Sequence, residues 1–393
     1  CHVSMNLCDP KNVNLTKTQK PLKLDHDRLG HVGFVRLQRL YTMTKTVPGP
    51  DDTFKKKGSC LIPKDKHQSS CAPPTCATCQ AARLRRRPTD SKTTKVNVEA
   101  ILHAEDLSPG DKISLDQYES SVRGRLPSTR GREHYSRRYV GGTIFVDHAS
   151  GFVFVVHQVS FTATEMIAAK RLFEQEMGRA QIKVKEYRTD NEVFKAASFL
   201  EAVENSGQKI TFSGVGAQFQ NGVAERPIKT VVEKARAMMV HAAMHWPEHF
   251  NMNLWPFAMD YATFLYNHIP SMNSGRAPIE VLTGLFVNCK AIRRARVWGC
   301  SAHVLDPRLQ NGKRIPKFEH RARCGQFLGF STRHSSSIGL IQNLRTGDVG
   351  PQWHVVYDER FKTVPTAGKD EDELEDEDDF EEGEDVDEDA LDR

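Results

Sequence analysis

The chain has 393 residues, 27% of them charged and 8% aromatic, with a formal net charge of +5. That length exceeds one compact core and suits two or three domains. No run of 18 apolar residues occurs, so no segment qualifies as a membrane-spanning helix, and no signal-peptide pattern opens the chain. The net charge conceals an asymmetry. Residues 370–393 hold 17 acidic residues and one Arg, so the other 369 carry 54 Lys and Arg against 33 Asp and Glu, a net of +21. A body that basic predicts a polyanionic partner, nucleic acid above all. Nine cysteines are scattered, and only Cys71, Cys76 and Cys79 cluster. That pattern fits a reducing compartment with one metal site better than a disulfide framework.

Residues 1–20 read as a polar leader, opening at Cys1 rather than Met as a fragment of a longer precursor would. Apolar residues at Leu29, Phe34, Leu37 and Leu40 predict an amphipathic helix. His26 and His31 then suit one helical face, and Cys76-Ala77-Thr78-Cys79 forms a knuckle. Together the four satisfy a tetrahedral Zn²⁺ with two nitrogen and two sulfur ligands, with Cys60 and Cys71 as competing ligands. Residues 46–75 predict a long loop and 88–110 a linker.

From residue 112 the pattern changes. Residues 112–118 alternate as a strand does, and an exposed Arg/Gly/Ser-rich loop is expected over 120–138. Runs 142–146 and 152–157 flank Asp147-His148-Ala149-Ser150-Gly151, a hairpin by its turn chemistry. Thr162 or Thr164 caps a helix to about residue 177, with Ile167, Leu172 and Phe173 inward. A strand over 182–188 runs up to Asp190, a helix follows over 196–205, and a short strand over 210–212. Glycine-rich 214–220 predicts a mobile loop. From Val223 a long helix shows an apolar stripe of Ile228, Val231, Val232, Ala235, Met238, Met239 and Ala242, with Glu225, Lys229, Glu233 and Arg236 on the other side. This order predicts a mixed sheet flanked by helices. Residues 250–285 read as further helix, and β-like runs at 297–303, 324–329, 338–342 and 352–357 as a small β domain. The acidic tail should be disordered; it links to a following domain or, alternatively, screens the basic surface.

Three acids carry the chemistry. Asp116 lies in the alternating stretch, Asp190 in Tyr187-Arg188-Thr189-Asp190-Asn191, and Glu225 in Gln220-Asn221-Gly222-Val223-Ala224-Glu225-Arg226. Three convergent carboxylates can hold two divalent ions about 4 Å apart for in-line phosphoryl transfer, and Mg²⁺ prefers such hard oxygen ligands. An Asp inside a strand is disfavoured by β-propensity, so Asp116 needs a functional reason. The rival first carboxylate, Asp147, reads as a turn residue.

The phrases around Glu225 and Asp190 resemble the segments that carry the third and second acidic residues of integrases of Ty1/copia-type long-terminal-repeat retrotransposons. The likeness runs from about Leu24 to Val356, with Leu29-Gly30-His31, Cys76-x-x-Cys79 and Gly325-Gln326-Phe327-Leu328-Gly329-Phe330 among its matching pieces. It implies an α/β fold: a ribonuclease H-like integrase core with an N-terminal zinc-binding module and a small C-terminal β domain. It places a His-His-Cys-Cys module at 21–90, a linker at 91–110, the catalytic core at 111–250, a helical extension at 251–290, the β domain at 291–365 and the tail at 366–393. Asp116, Asp190 and Glu225 become the Mg²⁺- or Mn²⁺-holding catalytic residues, and His26, His31, Cys76 and Cys79 the Zn²⁺ ligands. Gln220 and Asn221 would contact the DNA end, and Arg226 and Lys229 its phosphates, although all four also suit the polar start of a helix. The implied activity is 3′-end processing followed by strand transfer of element DNA into target DNA. It is carried out by a homo-oligomer cut from a Pol polyprotein, acting in cytoplasmic virus-like particles and the nucleus. Two departures stand out. Asn191 is followed by Glu192 where the family has Gly-Gly, and 34 residues separate Asp190 from Glu225, one fewer than usual. Other readings are a metal-dependent nuclease of the same fold and a catalytically decayed or recruited nucleic-acid-binding copy.

Overall fold

The computed structural model describes residues 15–48, 54–64, 67–84, 107–127, 129–189, 192–212, 222–247, 249–272, 274–285, 289–335 and 337–364. Asp190, Asn191, Gln220 and Asn221 lie outside these residues, as do the expected mobile loop, the acidic tail and most of the expected leader and linker.

The N-terminal part comprises α1 (Gln19–Arg28), α2 (Phe34–Thr42), the hairpin β1 (Thr44–Pro48) and β2 (Phe54–Ser59), and α3 (Ala77–Arg83). The hairpin occupies much of the expected 46–75 loop. His26 and His31 do not share a helical face, contrary to the expectation from spacing. α1 ends at Arg28, and Gly30 and His31 turn through left-handed backbone at φ 64° and 57°. Glycine is favoured at the first of these positions, where a Cβ would meet Leu265 Cδ1 at 3.1 Å and Met238 Sδ at 3.3 Å.

The central sheet begins as an antiparallel meander of β3 (Ile113–Gly124), β4 (Tyr139–Asp147) and β5 (Val153–Gln158). α4 (Ala163–Arg179) crosses to β6 (Glu186–Thr189), parallel to β3, and α5 (Ala197–Asn205) crosses to β7 (Lys209–Phe212), parallel to β6. The strand order is β5-β4-β3-β6-β7. Thr162 caps α4 by accepting from the Glu165 amide. Ile113, Leu115, Phe145 and Tyr187 pack with Met166, Phe173 and Phe199 of α4 and α5 on one face. Ile144, Val146 and Val153 face the other way, onto Val231, Ala235 and Met238 of α6 (Gly222–His245) and Ala258, Ala262 and Leu265 of α7 (Trp255–His268). An antiparallel meander extended by two parallel strands, with helices on both faces, is the ribonuclease H-like arrangement.

Two expectations change here. β3 continues past residue 118 to Gly124, so the Arg-rich loop starts later, and Arg125 is buried with its guanidinium donating to the Thr129 carbonyl. Leu172 points outward, 49% exposed, while its neighbour Phe173 is buried.

After α8 (Pro278–Thr283) and α9 (Lys290–Arg293) comes a second sheet. Its elements are β8 (Ser301–Leu305), α10 (Pro307–Gln310), β9 (Ala322–Phe330), β10 (Gly339–Asn343), β11 (Val349–Gln352) and β12 (Val355–Asp358). It is antiparallel throughout, in the order β11-β10-β9-β8-β12. This sheet shares its core with α7: Phe327 and Phe330 meet the Tyr261 ring at centroid distances of 5.6 and 5.9 Å. The chain then returns to α1. Glu359 takes Arg28 Nε and Nη2 at 2.6 and 2.8 Å and Arg296 Nη1 at 2.9 Å, and Phe361 stacks on His245 at 4.1 Å. Cys60 and Cys289 bring their sulfurs to 2.8 Å across the same seam. One hydrophobic cluster therefore runs from Leu22 to Phe361.

Candidate active site and metal centre

Asp116 sits in the middle of the sheet, half-buried on β3, its Oδ1 accepting from the Gln117 amide at 2.8 Å. Its register partner is Ile144, and directly paired residues share a face, so Asp116 lies on the α6 and α7 side. β6 ends at Thr189, paired with Leu115, and Asp190 is the next residue in the chain, outside the described set. Glu225 lies in the first turn of α6 with its side chain exposed, and Arg226 and Lys229 are exposed beside it. The structure thus puts Asp116 on the face of the sheet against which the helix of Glu225 packs.

The strand that carries Asp116 is braced on both sides. Two residues before, Ser114 Oγ meets His148 Nε2 at 2.7 Å, and burial, aided by Lys112 and Arg188, pushes the His148 pKa down to about 4. Two residues after, Tyr118 Oη lies 2.5 Å from His157 Nδ1, whose Nε2 lies 2.9 Å from Asp260. Asp147 is fully buried. Its Oδ1 accepts from the Gly110 amide at 2.9 Å and its Oδ2 from the Ser150 amide and hydroxyl at 2.8 and 2.5 Å. That carboxylate is taken up by its own turn and by the loop before β3.

The second constellation is fully assembled. His26, His31, Cys76 and Cys79 bring one ligand atom each within 4.8 Å of the others. His31 Nδ1 and His26 Nε2 are 3.2 Å apart, Cys76 Sγ is 3.6 Å from His31 Nδ1, and Cys79 Sγ is 3.4 Å from His26 Nε2. Four ligands at ordinary Zn–N and Zn–S bond lengths stand roughly 3.3–3.8 Å apart in a tetrahedron, so the donor set and its spacing fit zinc. His26 Nδ1 lies 2.7 Å from the Val32 carbonyl, a hydrogen bond that leaves Nε2 to face the centre. The Cys76–Cys79 contact lowers the Cys76 thiol pKa and raises that of Cys79, so the pair gives up its first proton readily. Of the competing cysteines, Cys60 contacts Cys289 instead, and Cys71 belongs to no ligand cluster among the described residues. Asp27, His31 and His241 form a second close group; it shares His31 with the first.

Several buried polar residues here escape a sequence reading. Asp27 pairs with Lys23 at 2.6 Å; burial opposes its ionisation, but Lys23 and the nearby histidines hold its pKa below the usual carboxylate range. Lys234 is 3% exposed, and burial brings its ammonium pKa down to about 7. His241 edges onto His31 at 5.0 Å. Their signal lies in helical spacing: Lys234 and His241 fall in register with Val231, Met238 and Ala242 on the inward stripe of α6. Among the described residues, neither cluster with metal-ligand spacing includes Asp116 or Glu225, and any trio with Asp190 lies outside those residues.

The chain is 33% identical over 305 residues to the Retrovirus-related Pol polyprotein from transposon TNT 1-94 of Nicotiana tabacum, a match that covers 77% of this chain. The chain is related to the retrovirus-type Pol polyproteins. It spans 19% of the length of that Pol relative. No protein-family profile matches it. Among solved structures, the HTLV-2 integrase catalytic core domain in complex with magnesium, in its trimeric form, aligns at 19% identity over 44% of this chain and 97% of its own, with a TM-score of 0.33. A simian T-cell lymphotropic virus intasome in complex with PP2A regulatory subunit B56 gamma aligns at 14% identity over 63% of this chain and 77% of its own, with a TM-score of 0.35.

Proposed function

We propose that this Pol segment is an integrase that joins element DNA ends to target DNA. The observation that carries the reading is the placement of Asp116 on the central strand of a ribonuclease H-like sheet, facing the side on which the helix of Glu225 packs. Asp116, Asp190 and Glu225 would hold Mg²⁺ or Mn²⁺, which would supply Lewis-acid activation of water and of a DNA 3′-hydroxyl. The chain's own part is positioning. Ser114–His148 and Tyr118–His157–Asp260 brace β3 so that Asp116 keeps one orientation. The exposed cations Arg226 and Lys229 sit on the turn with Glu225, placed to take phosphates, and Gln220 and Asn221 are proposed to contact the DNA end. Zn²⁺ on His26, His31, Cys76 and Cys79 would hold the N-terminal module to the core. The proposed division is a zinc module at 21–90, a core at 111–250, a helical extension at 251–290 and a β segment at 291–365. The basic body suits DNA as partner, and the proposed working form is a homo-oligomer that acts in virus-like particles and the nucleus.

The test is a strand-transfer assay with element-end DNA and Mg²⁺ or Mn²⁺, comparing the wild-type chain with Glu225→Gln. Joined products that vanish in the variant support the reading. Cleavage without joining indicates a nuclease, and DNA binding with no chemistry in either protein indicates a decayed or recruited binding copy.

A further inference from the structure

Helix α6 starts at the candidate active site and runs into the metal module. Its first turn carries Glu225, and about two and a half turns later Lys234 enters the interior. The Lys234 ammonium donates to the carbonyls of Leu29 at 2.8 Å and Gly30 at 3.5 Å. These close the end of α1 and lead directly into His31, where a helix C-terminus exposes carbonyls and favours a cation. The same turn is held by α6, α7 and α3 together. Gly30 lies close against Met238 and Leu265, His241 edges onto His31, and Arg83 of α3 donates to the His31 carbonyl at 2.5 Å. Lys234 thus touches the segment between the two histidines of the metal centre from the helix whose first turn carries Glu225.

We propose that Lys234 is a positioning residue that locks the turn between His26 and His31 to α6, so that filling the His/Cys centre fixes the active-site end of that helix. The proposal rests on the reading of Glu225 as a catalytic carboxylate and of the four ligands as a zinc site. When His31 is ligated the turn loses its freedom, and the two Lys234 hydrogen bonds pass that restraint to α6. An apolar side chain at 234 leaves two buried carbonyls without their donor and uncouples turn from helix.

The experiment uses the full chain as wild type, Lys234→Met and Lys234→Arg. Amide hydrogen exchange over residues 222–230 is followed with the metal centre loaded and after chelation, and Co²⁺ affinity is read from its visible absorption. Loading should slow exchange over 222–230 in the wild type. Lys234→Met should lose that slowing and bind Co²⁺ about 10-fold more weakly, the low end of the range for losing a ligand's own hydrogen-bond partner, because Lys234 holds the turn and not a ligand. Lys234→Arg, which restores a donor, should recover part of both. In the joining assay Lys234→Met should lower kcat and leave KM for DNA unchanged. Metal-independent exchange over 222–230 in the wild type would overturn the proposal, even should Lys234→Met not fold. So would a folded Lys234→Met that keeps wild-type exchange and Co²⁺ affinity. Exchange and Co²⁺ binding need no DNA chemistry, so coupling in a chain that joins no DNA would sink the integrase reading alone. Joining without coupling would sink this proposal alone.

Discussion

The two candidate metal centres are built in opposite ways. The His/Cys centre is largely buried, its four ligand atoms lie within 4.8 Å of one another, and its surroundings are tied down by Lys23–Asp27, Lys234 and the Arg28–Glu359–Arg296 network. The carboxylate edge is open: Asp116 is half-buried and Glu225 exposed. A closed donor set suits an ion that holds structure, and an open one suits ions that share their coordination with substrate phosphates. In this chain, then, burial separates the metal proposed for folding from the metals proposed for chemistry.

The contrast is sharpest where a ligand is removed. Structural zinc contributes its binding energy to folding, so Cys76→Ser or chelation should melt the N-terminal module, read as lost exchange protection over α1, α2 and α3. Retained protection would make the centre dispensable. Glu359 should come next. Glu359→Ala removes the carboxylate that Arg28 and Arg296 share; both arginines are partly exposed and Arg28 keeps Asp25, so the change should cost about 1.5–3 kcal/mol in urea unfolding. A cost near zero would mean that the seam between α1 and the second sheet adds no stability.

The acid limb of stability should show His148. Its folded pKa of about 4 lies below the ordinary 6.5, so the unfolded state binds the proton first. Its contribution is fully present above pH 6.5 and is lost as pH falls toward 4, on the order of 3 kcal/mol at most. His148→Gln should flatten that slope between pH 6.5 and 4; an unchanged slope would mean that His148 titrates normally. The smallest stability effect is expected at the open edge, where Glu225→Gln should shift unfolding free energy by under about 0.5 kcal/mol. A larger loss there would show that Glu225 has a structural partner and would blur the distinction between the two centres.

Local chemistry made much of the fold readable in advance. The Thr162 cap, the stripe on α6 and the turn at Asp147–Gly151 each depend on residues close in sequence, and each formed as expected. What spacing misjudged depends on distant partners. His31 left the helix because the chain turns at Gly30 and His31, with Gly30 against Met238 and Leu265 and His31 against His241 of the core helices. β3 outran its alternating pattern because β4 pairs with it to Glu119 and resumes at Gly124. Arg125 is buried because its backbone amide donates to Asn253 and its guanidinium to Thr129. Lys234 and His241 read as ordinary helix residues until the metal module covers them. Of the candidate site, the four His/Cys ligands were readable by residue type, while their convergence came from a turn rather than from a shared helical face.

The most direct measurement sets the two rival aspartates against each other: strand transfer and thermal melting of Asp116→Asn and Asp147→Asn beside the wild-type chain. Asp116→Asn should abolish joining with little change in melting. Asp147→Asn weakens three hydrogen bonds to a buried carboxylate and should lower the melting temperature while the folded protein still joins DNA. The reverse outcome, joining retained in a well-folded Asp116→Asn and abolished in a well-folded Asp147→Asn, would contradict the placement of the active site on β3.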